Sequence, residues 1–203
     1  MPAEPPELAD ERRTSPIELL WDLVFVFAVT QVTTLFSRET TWAGFGRSML
    51  ILALGLLIAI GMWWTYFDRV ASAAEERLGK QEDAVLAAAD AYSYLHLVIV
   101  AGIIIFAVGV KSLVQGTVSA PLSDAARLAL CGGVAVYLIG NVGFRLRMLG
   151  EVGYAQAATA IVLMGLYALG SGLAGWTLAG TVAVLLAVLC AVESRARGTL
   201  ESA

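Results

Sequence analysis

The sequence is poor in the residues that carry most enzyme chemistry. Its 203 residues include one histidine and two cysteines, and charged residues make up only 15% of the chain. The cysteines lie in separate apolar runs, no metal-ligand cluster is readable, and no nucleophile lies at a readable spacing from a base. We therefore expect a protein that is not an enzyme, with no catalytic residue, no metal and no cofactor.

Positive charge is also scarce. Lysine and arginine number 13 against 17 acidic residues, so the net charge is −4. Proteins that bind nucleic acid neutralise its phosphates with a basic surface, which this chain lacks. Nucleic acid is therefore excluded as a partner. We also expect no cleavable signal peptide, because the residues before the first apolar run are acidic and rich in proline.

Apolar residues are abundant instead, at 59% of the chain, and the mean hydropathy is +0.78. A soluble domain of this size is nearer half apolar and a quarter charged, so the bilayer must be the solvent for most of this chain and lipids its partners. Long apolar runs without alternation predict helices rather than barrel strands. The predicted fold class is an all-α integral membrane protein, a polytopic bundle of about six transmembrane helices. The predicted spans are residues 17–36, 44–67, 91–113, 125–144, 154–169 and 173–192.

The distribution of basic residues predicts the orientation of the bundle. Residues 1–16 and 193–203 form the two tails, and residues 68–90 form the longest loop, on the same side. Nine lysines and arginines fall on that side: Arg12, Arg13, Arg69, Arg77, Lys80, Arg145, Arg147, Arg195 and Arg197. Four fall on the opposite side: Arg38, Arg47, Lys111 and Arg127. Since the richer side faces the cytoplasm, we expect both termini to be cytoplasmic.

Proline and glycine indicate how the helices pack. All five prolines lie outside the predicted spans, which disfavours the broken helices that build many transporter sites. The fourth span contains Gly132, Gly133, Gly140 and Gly143, for which we expect close helix packing. The sixth span carries small residues at four-residue spacing, which predicts a flat face against another helix of this chain or of a second protomer in a homo-oligomer. The members of this stripe are Gly175, Ala179, Ala183, Ala187 and Ala191.

Two acidic residues of the first span are candidate functional residues, because ionisable groups in the membrane are costly. Glu18 belongs to the sequence Ser15-Pro16-Ile17-Glu18, a capping box in which backbone N–H groups can satisfy the carboxylate. Asp22 lies six residues beyond Pro16, about 9 Å along a helix, and is too deep for the same contacts. For Asp22 a structural role and a functional role both remain open.

A polar cluster is expected near the cytoplasmic surface. His96 in the third span and Asn141 and Arg145 in the fourth lie at a depth similar to that of Asp22. An acid, an imidazole and a guanidinium at one level can neutralise each other, bind an anion or pass a proton. The predicted binding or proton-relay residues are therefore Asp22, His96, Asn141, Arg145 and Glu18. The structural alternatives are that His96 makes a hydrogen bond at the membrane interface and that Arg145 extends to the lipid headgroups.

Four stretches of the chain resemble one bacterial family. Residues 17–33 read IELLWDLVFVFAVTQVT, and they resemble the opening of the bacterial low temperature requirement protein A family. WWTYFDR at 63–69, YSYLH at 92–96 and FRLR at 144–147 are similar to later helices of that family. The positions that match are Glu18, Asp22, Asp68, Arg69, His96 and Arg145. The family's central helix block is missing, so the resemblance implies a short variant in which the first hairpin joins the later helices directly.

The resemblance implies a polytopic protein of the bacterial plasma membrane. It does not identify a mechanism, because the family is named for a growth phenotype rather than an activity. The leading hypothesis is a non-enzymatic protein that transports or senses a small ion or solute, with Asp22 and His96 as exchangeable charges and Asn141 and Arg145 as their partners. The alternative hypothesis is a structural or assembly subunit whose intramembrane polar residues fix helix packing.

Overall fold

The computed structural model describes residues 41–66, 94–116 and 119–201, together with the helical residues Thr30, Thr33, Thr34 and Ser37. Within these residues there are five α-helices and no strand. The helices are α1 (Trp42–Tyr66), α2 (His96–Gln115), α3 (Asp124–Leu149), α4 (Tyr154–Leu169) and α5 (Gly175–Glu201). Apart from the three threonines, the predicted first span lies outside the described residues, as do tail 1–16 and loop 68–90.

All five helical segments are long and apolar enough to cross a membrane, when α4 is taken with the 3₁₀ turn Gly170–Gly172 that follows it. The prediction of an all-α polytopic membrane protein is confirmed. Each helix keeps its own backbone hydrogen bonds, which the hydrocarbon requires. The 3₁₀ turn Gly170–Gly172 joins α4 to α5 as a tight hairpin.

Local sequence determines where α3 begins and ends. Ser123 is its N-cap, and the serine hydroxyl accepts a hydrogen bond from the Ala126 N–H. Such caps satisfy backbone donors that have no partner within the helix. At the other end Gly150 adopts a left-handed conformation with φ 71°, and its N–H bonds to the Leu146 carbonyl. Glycine is the residue that tolerates this conformation best.

Glycines bring α2 and α3 into close contact. A Cβ placed on Gly133 would lie 2.3 Å from the Phe106 nitrogen, and one on Gly102 would lie 2.5 Å from the Tyr137 nitrogen. These distances leave no room for a side chain, so the two backbones touch. Gly140 also packs closely, against Ile99, as expected for the glycines of this span.

The small-residue stripe of α5 is buried only over its first half. Gly175, Ala179 and Ala183 are buried, whereas Ala187 and Ala191 are exposed. Each step of four residues turns 400° around a helix, so the stripe rotates by about 40° per step and leaves its face. The buried face continues through larger residues, and Leu186 packs on Gly61 of α1. The first half of the stripe, from Gly175 to Ala183, therefore packs against other helices of the same chain.

The core lies around α3, which is the most buried of the five helices. Helix α1 packs mainly on α5, α2 packs on α3, and α3 packs on α4. Apolar side chains on the outer faces remain exposed, among them Leu57, Ile161 and Val184. Exposed apolar surface of this extent is expected where the surrounding solvent is lipid. The centrality of α3 places its polar residues inside the bundle.

Candidate functional site

Three polar side chains of α3 lie on one buried face at four-residue spacing. Tyr137, Asn141 and Arg145 are 2%, 0% and 4% exposed, respectively. Helical residues four apart lie on the same face, so the three form a row along the axis. Gln156 of α4 and Glu193 of α5 are buried as well. We call these five residues the polar cluster.

Tyr137 connects α3 to the end of α1. Its hydroxyl donates a hydrogen bond to the Met62 carbonyl and lies 3.3 Å from the Thr65 hydroxyl oxygen. Thr65 in turn donates to the same carbonyl at 2.9 Å. Buried hydroxyls need such partners, and this contact satisfies both of them.

Arg145 connects α3 to α5 through an ion pair. Its Nη1 lies 3.2 Å from Oε1 of Glu193, and both side chains are nearly inaccessible to solvent. A second carboxylate, on the exposed residue Glu151, lies 3.8 Å from Nη2. Both distances exceed the 2.7–2.9 Å that is usual for charge-assisted N–H···O bonds. Arg145 Nη1 therefore donates a long hydrogen bond to Glu193, whereas the contact of Nη2 with Glu151 is an ion pair without a hydrogen bond.

Several polar atoms of the cluster have unused hydrogen-bonding capacity. Within the described part of the chain, both polar atoms of Asn141, both of Gln156 and Nε of Arg145 lack a hydrogen bond. The Asn141 amide interacts with the Tyr137 hydroxyl, although not with hydrogen-bond geometry. Such a buried group costs roughly 1–3 kcal/mol when it is left without a partner. A fold that retains five such atoms together favours a ligand, ion or water as their partner.

Gly153, the N-cap of α4, leaves space for two of these side chains. A Cβ at this position would lie 3.2 Å from Arg145 Nη1 and 3.2 Å from Gln156 Oε1. Both atoms therefore lie close to Gly153 at the start of α4. The absence of a side chain at Gly153 allows a guanidinium and an amide to approach the backbone there.

The structure brings together two of the five predicted site residues. Asn141 and Arg145 both belong to the polar cluster, and Arg145 lies inside the bundle rather than at the headgroups. His96 lies at the same end but is exposed, with its ring centroid 6.4 Å from that of Tyr66. Asp22 and Glu18 lie outside the described residues. The proximity of Asp22 to the cluster therefore stays a prediction.

Gln156 and Glu193 are site residues that the sequence pattern did not reveal. Glu193 follows the apolar run 173–192 directly and was assigned to the C-terminal tail, yet α5 continues to Glu201 and Glu193 is buried. Gln156 stands at the start of the fifth run, where a polar residue is ordinary. The sequence does show that Gln156 and Glu193 lie at the same end of the predicted bundle as Arg145, and this shared depth could have indicated them.

The opposite end of the bundle contains a second buried cation. Arg127, which was counted as an outer basic residue, is 7% exposed. Its Nε donates to the Tyr167 carbonyl at 2.9 Å, and its guanidinium carbon lies 5.2 Å from the Tyr167 ring centroid. Nη2 also pairs with the exposed residue Asp124 at 2.7 Å. Because Tyr167 is in the last turn of α4, Arg127 satisfies a carbonyl that the helix leaves unpaired. Its role is structural.

Comparison with known protein families adds a decisive observation. The model of the bacterial low temperature requirement A protein (LtrA) matches residues 13–54 and 46–191, two segments that overlap and together span most of the chain. The chain belongs to this family. The LtrA match includes the first predicted span and four residues of the polar cluster, and it ends two residues before Glu193. No curated protein and no solved structure matches the chain.

Membership in the LtrA family and five membrane-crossing helices together identify a membrane protein. Within the described residues, no three His, Cys, Asp or Glu side chains are grouped so that they could hold a metal ion. The chemical groups of the polar cluster are a guanidinium, a carboxylate, two amides and a phenol. These groups can bind a small polar ligand or exchange hydrogen bonds with one that passes.

Proposed function

We propose that this LtrA-family protein resides in the bacterial plasma membrane and moves or senses a small ion or solute through the polar cluster at its cytoplasmic side. It does so without enzymatic activity and with membrane lipids as its surroundings. The supporting observation is the set of unused hydrogen-bonding atoms on fully buried Asn141 and Gln156, beside the Arg145–Glu193 pair. A cluster that served packing alone would gain stability by replacing these amides with apolar side chains.

The proposal assigns different roles to the predicted site residues. Arg145 and Asn141 provide the interior binding groups, and Asp22 is the exchangeable acid expected at the same depth. His96, which is exposed beside Tyr66, contributes at the entrance from the cytoplasm. Glu18 is expected to cap the first helix, so the proposal gives it no part in the exchange.

Replacement of Asn141 by leucine separates function from stability. We expect Asn141→Leu to lose most proton flux, at least about tenfold, while the melting temperature in detergent stays the same or rises. Leucine has the same branching and the same number of heavy atoms as asparagine, and it removes a buried amide that makes no hydrogen bond within the described residues. Flux is measured with purified protein in liposomes that contain a pH-sensitive dye, under a potassium diffusion potential.

Leu138→Met is the matched control, because Leu138 is fully buried on the same helix and the substitution conserves volume. It should leave both flux and melting temperature nearly unchanged. Asp22→Asn in the same assay tests the predicted acid. Wild-type flux in Asn141→Leu and Asp22→Asn, or no protein-dependent flux at all, would contradict the transport proposal.

A structural or assembly role is the second candidate, and two contacts favour it. The Arg145–Glu193 pair joins α3 to α5, and the Tyr137–Met62 hydrogen bond joins α3 to α1. Under this hypothesis Asn141→Leu would change no separable activity, and variants of Tyr137 or Glu193 would reduce folding yield. The same purified proteins therefore discriminate between the two functions.

A further inference from the structure

We propose that Arg145 binds a small carboxylate anion and that Glu193 takes up one proton for each anion bound. This inference rests on the proposed function and names the class of its ligand. The juxtaposition that carries it is a buried guanidinium whose Nε makes no hydrogen bond, a buried carboxylate at Nη1 and two amides nearby that make no hydrogen bond in the described structure.

One edge of the Arg145 guanidinium is available for a planar anion. Nε and Nη2 form the side-on edge of the fork, and parallel N–H bonds from such an edge match the two oxygens of a carboxylate. Nε has no hydrogen bond within the described residues, and Nη2 lies 3.8 Å from the exposed Glu151 carboxylate. Glu193 occupies the other side, at Nη1. An anion can therefore add to Arg145 without displacing a short bond.

Two amides with unused N–H donors, Asn141 Nδ2 and Gln156 Nε2, belong to side chains close to Arg145. Asn141 lies one turn before Arg145 on the same helix face, and the Nδ2 group makes no hydrogen bond in the described structure. Gln156 Oε1 and Arg145 Nη1 lie around the same point beside Gly153. Arginine with neutral amide donors is a donor set suited to an oxyanion, because it offers charge and hydrogen bonds without a competing metal.

Charge balance requires the proton. Arg145 already faces two carboxylates, the exposed Glu151 and the buried Glu193, and the side chains of Arg145 and Glu193 are both at least nine-tenths buried. A carboxylate anion added to the pair leaves one uncompensated negative charge where water cannot reach it, which is costly. A proton from water that binds a carboxylate oxygen of Glu193 restores neutrality, and the ligand remains the anion paired with Arg145. Binding therefore consumes one anion and one proton together.

The neighbouring groups favour Glu193 as the proton acceptor. The other titratable side chains at this end of the described bundle are Tyr66, Tyr94, His96, Tyr137, Arg145, Arg147, Glu151, Tyr154, Cys190 and Arg195. Glu151 is exposed and keeps its contact with water, while His96 lies on the outside. Glu193 is the buried acid in direct contact with Arg145. The added negative charge is therefore felt most strongly at Glu193.

Acetate is the probe for binding, and acetamide, which has the same shape without charge, is the control ligand. Titration calorimetry of the full chain in detergent, in carboxylate-free buffers of different ionisation enthalpy, counts the protons taken up. We expect acetate to bind with close to one proton per anion and acetamide not to bind. Over the pH range in which Glu193 is ionised in the free protein and protonated in the complex, linkage requires acetate affinity to fall about tenfold per pH unit.

Two variants test the roles of the charged pair. Glu193→Gln should bind acetate without proton uptake, with affinity that changes less than about twofold between about pH 5.5 and about pH 7.5. The uncharged double variant Arg145→Gln/Glu193→Gln should fold, because it leaves no unpaired buried charge, and should not bind. Binding by the double variant, proton uptake by Glu193→Gln, or equal affinity for acetamide would overturn the proposal.

Phospholipid headgroups carry oxyanions too, so the titration is repeated in bilayer discs of zwitterionic and of anionic lipid. Acetate should bind equally in both. If anionic lipid abolishes acetate binding, the site is occupied by headgroups and the proposal of a soluble ligand is wrong. Proton flux that depends on Asn141 but occurs without acetate binding would overturn this inference alone, whereas absence of flux would overturn the transport proposal.

Discussion

Arg127 shows how one buried residue can hold two helix ends together. Its guanidinium donates to the last turn of α4, lies over the Tyr167 ring and pairs with Asp124 at the start of α3. The three contacts differ in how much they stabilise the fold, because Asp124 is exposed while Tyr167 is partly buried. Exposed ion pairs contribute little to the free energy of unfolding, whereas hydrogen bonds from a buried charge contribute more.

Arg127→Met tests this ranking. The substitution keeps much of the apolar stem but leaves the Tyr167 carbonyl without its donor. We expect a loss of about 2 kcal/mol in unfolding free energy, seen as a lower melting temperature in detergent.

Asp124→Asn is the matched control. It removes the exposed partner of Arg127 but keeps the two contacts to Tyr167, so the loss should stay below about 1 kcal/mol. Equal losses in the two variants would show that the ion pair, rather than the contact with α4, carries the stability.

At the residue scale, the sequence indicates that Asn141 and Arg145 lie at a similar depth within an apolar span, but not which residues they contact. A polar residue within an apolar run is visible in the sequence, and so is its depth. The partner is not visible, because Glu193 approaches Arg145 from a helix 48 positions away in the chain. Burial decides whether an arginine near a helix end reaches the headgroups or an interior acid, and burial depends on packing.

At the element scale, the contact of α2 with α3 depends on glycines at particular positions. Gly102 and Gly109 on α2 face backbone atoms of α3, and Gly133 on α3 faces the backbone of Phe106. The adjacent residue Gly132 instead faces only the side chain of Leu128 in its own helix. Neighbouring glycines therefore differ completely in what a methyl group would meet.

The pair Gly133→Ala and Gly132→Ala tests this difference. In Gly133→Ala the new Cβ would lie 2.3 Å from a backbone nitrogen, so α2 and α3 must separate. We expect a loss of about 3 kcal/mol or more, or failure to fold, as for other overpacked contacts. In Gly132→Ala the Leu128 side chain can turn away, so stability should change by less than about 1 kcal/mol.

The measurement is the melting temperature of the two purified variants in the same detergent. Similar melting temperatures would show that the α2–α3 contact is looser than the distances indicate. The existence of these helices follows from hydropathy, but the close contact of α2 with α3 does not. The glycines of α3 were recognised as packing residues, whereas Gly102 and Gly109, seven residues apart on α2, indicate the same face and were overlooked.

At the scale of the whole molecule, the bundle consists of two helix groups. Helices α1 and α5 pack mainly on each other, and α3 packs mainly on α2 and α4. The hydrogen bond between Tyr137 and Met62 and the Arg145–Glu193 pair both cross from one group to the other. The polar cluster thus lies at the boundary between the groups.

The orientation of the molecule is tested by reporters fused after Ala203 and inserted after Gly116. The excess of basic residues predicts a cytoplasmic C-terminus and a periplasmic connection between α2 and α3. A fluorescent protein should therefore be active after Ala203, and a phosphatase should be active after Gly116. The reverse pattern would place the polar cluster at the periplasmic surface and would contradict the proposed cytoplasmic access.

The fold class followed from composition because hydrocarbon permits few backbone arrangements, and helices are the simplest of them. The helix pairing did not follow, since nearly all faces of these helices are apolar and lipid competes with protein for each of them. The half-buried stripe of α5 is an example, because spacing alone could not show where the helix turns its small residues toward lipid.

The location of the Arg145–Glu193 contact has a mechanical consequence. The guanidinium that would receive a ligand at Nε and Nη2 also joins α3 to α5 through Nη1, so a carboxylate that neutralises Arg145 would weaken the contact between the two groups of helices. Ligand binding and loosening of the bundle would then occur together, and the free energy of binding could drive the two groups of helices apart.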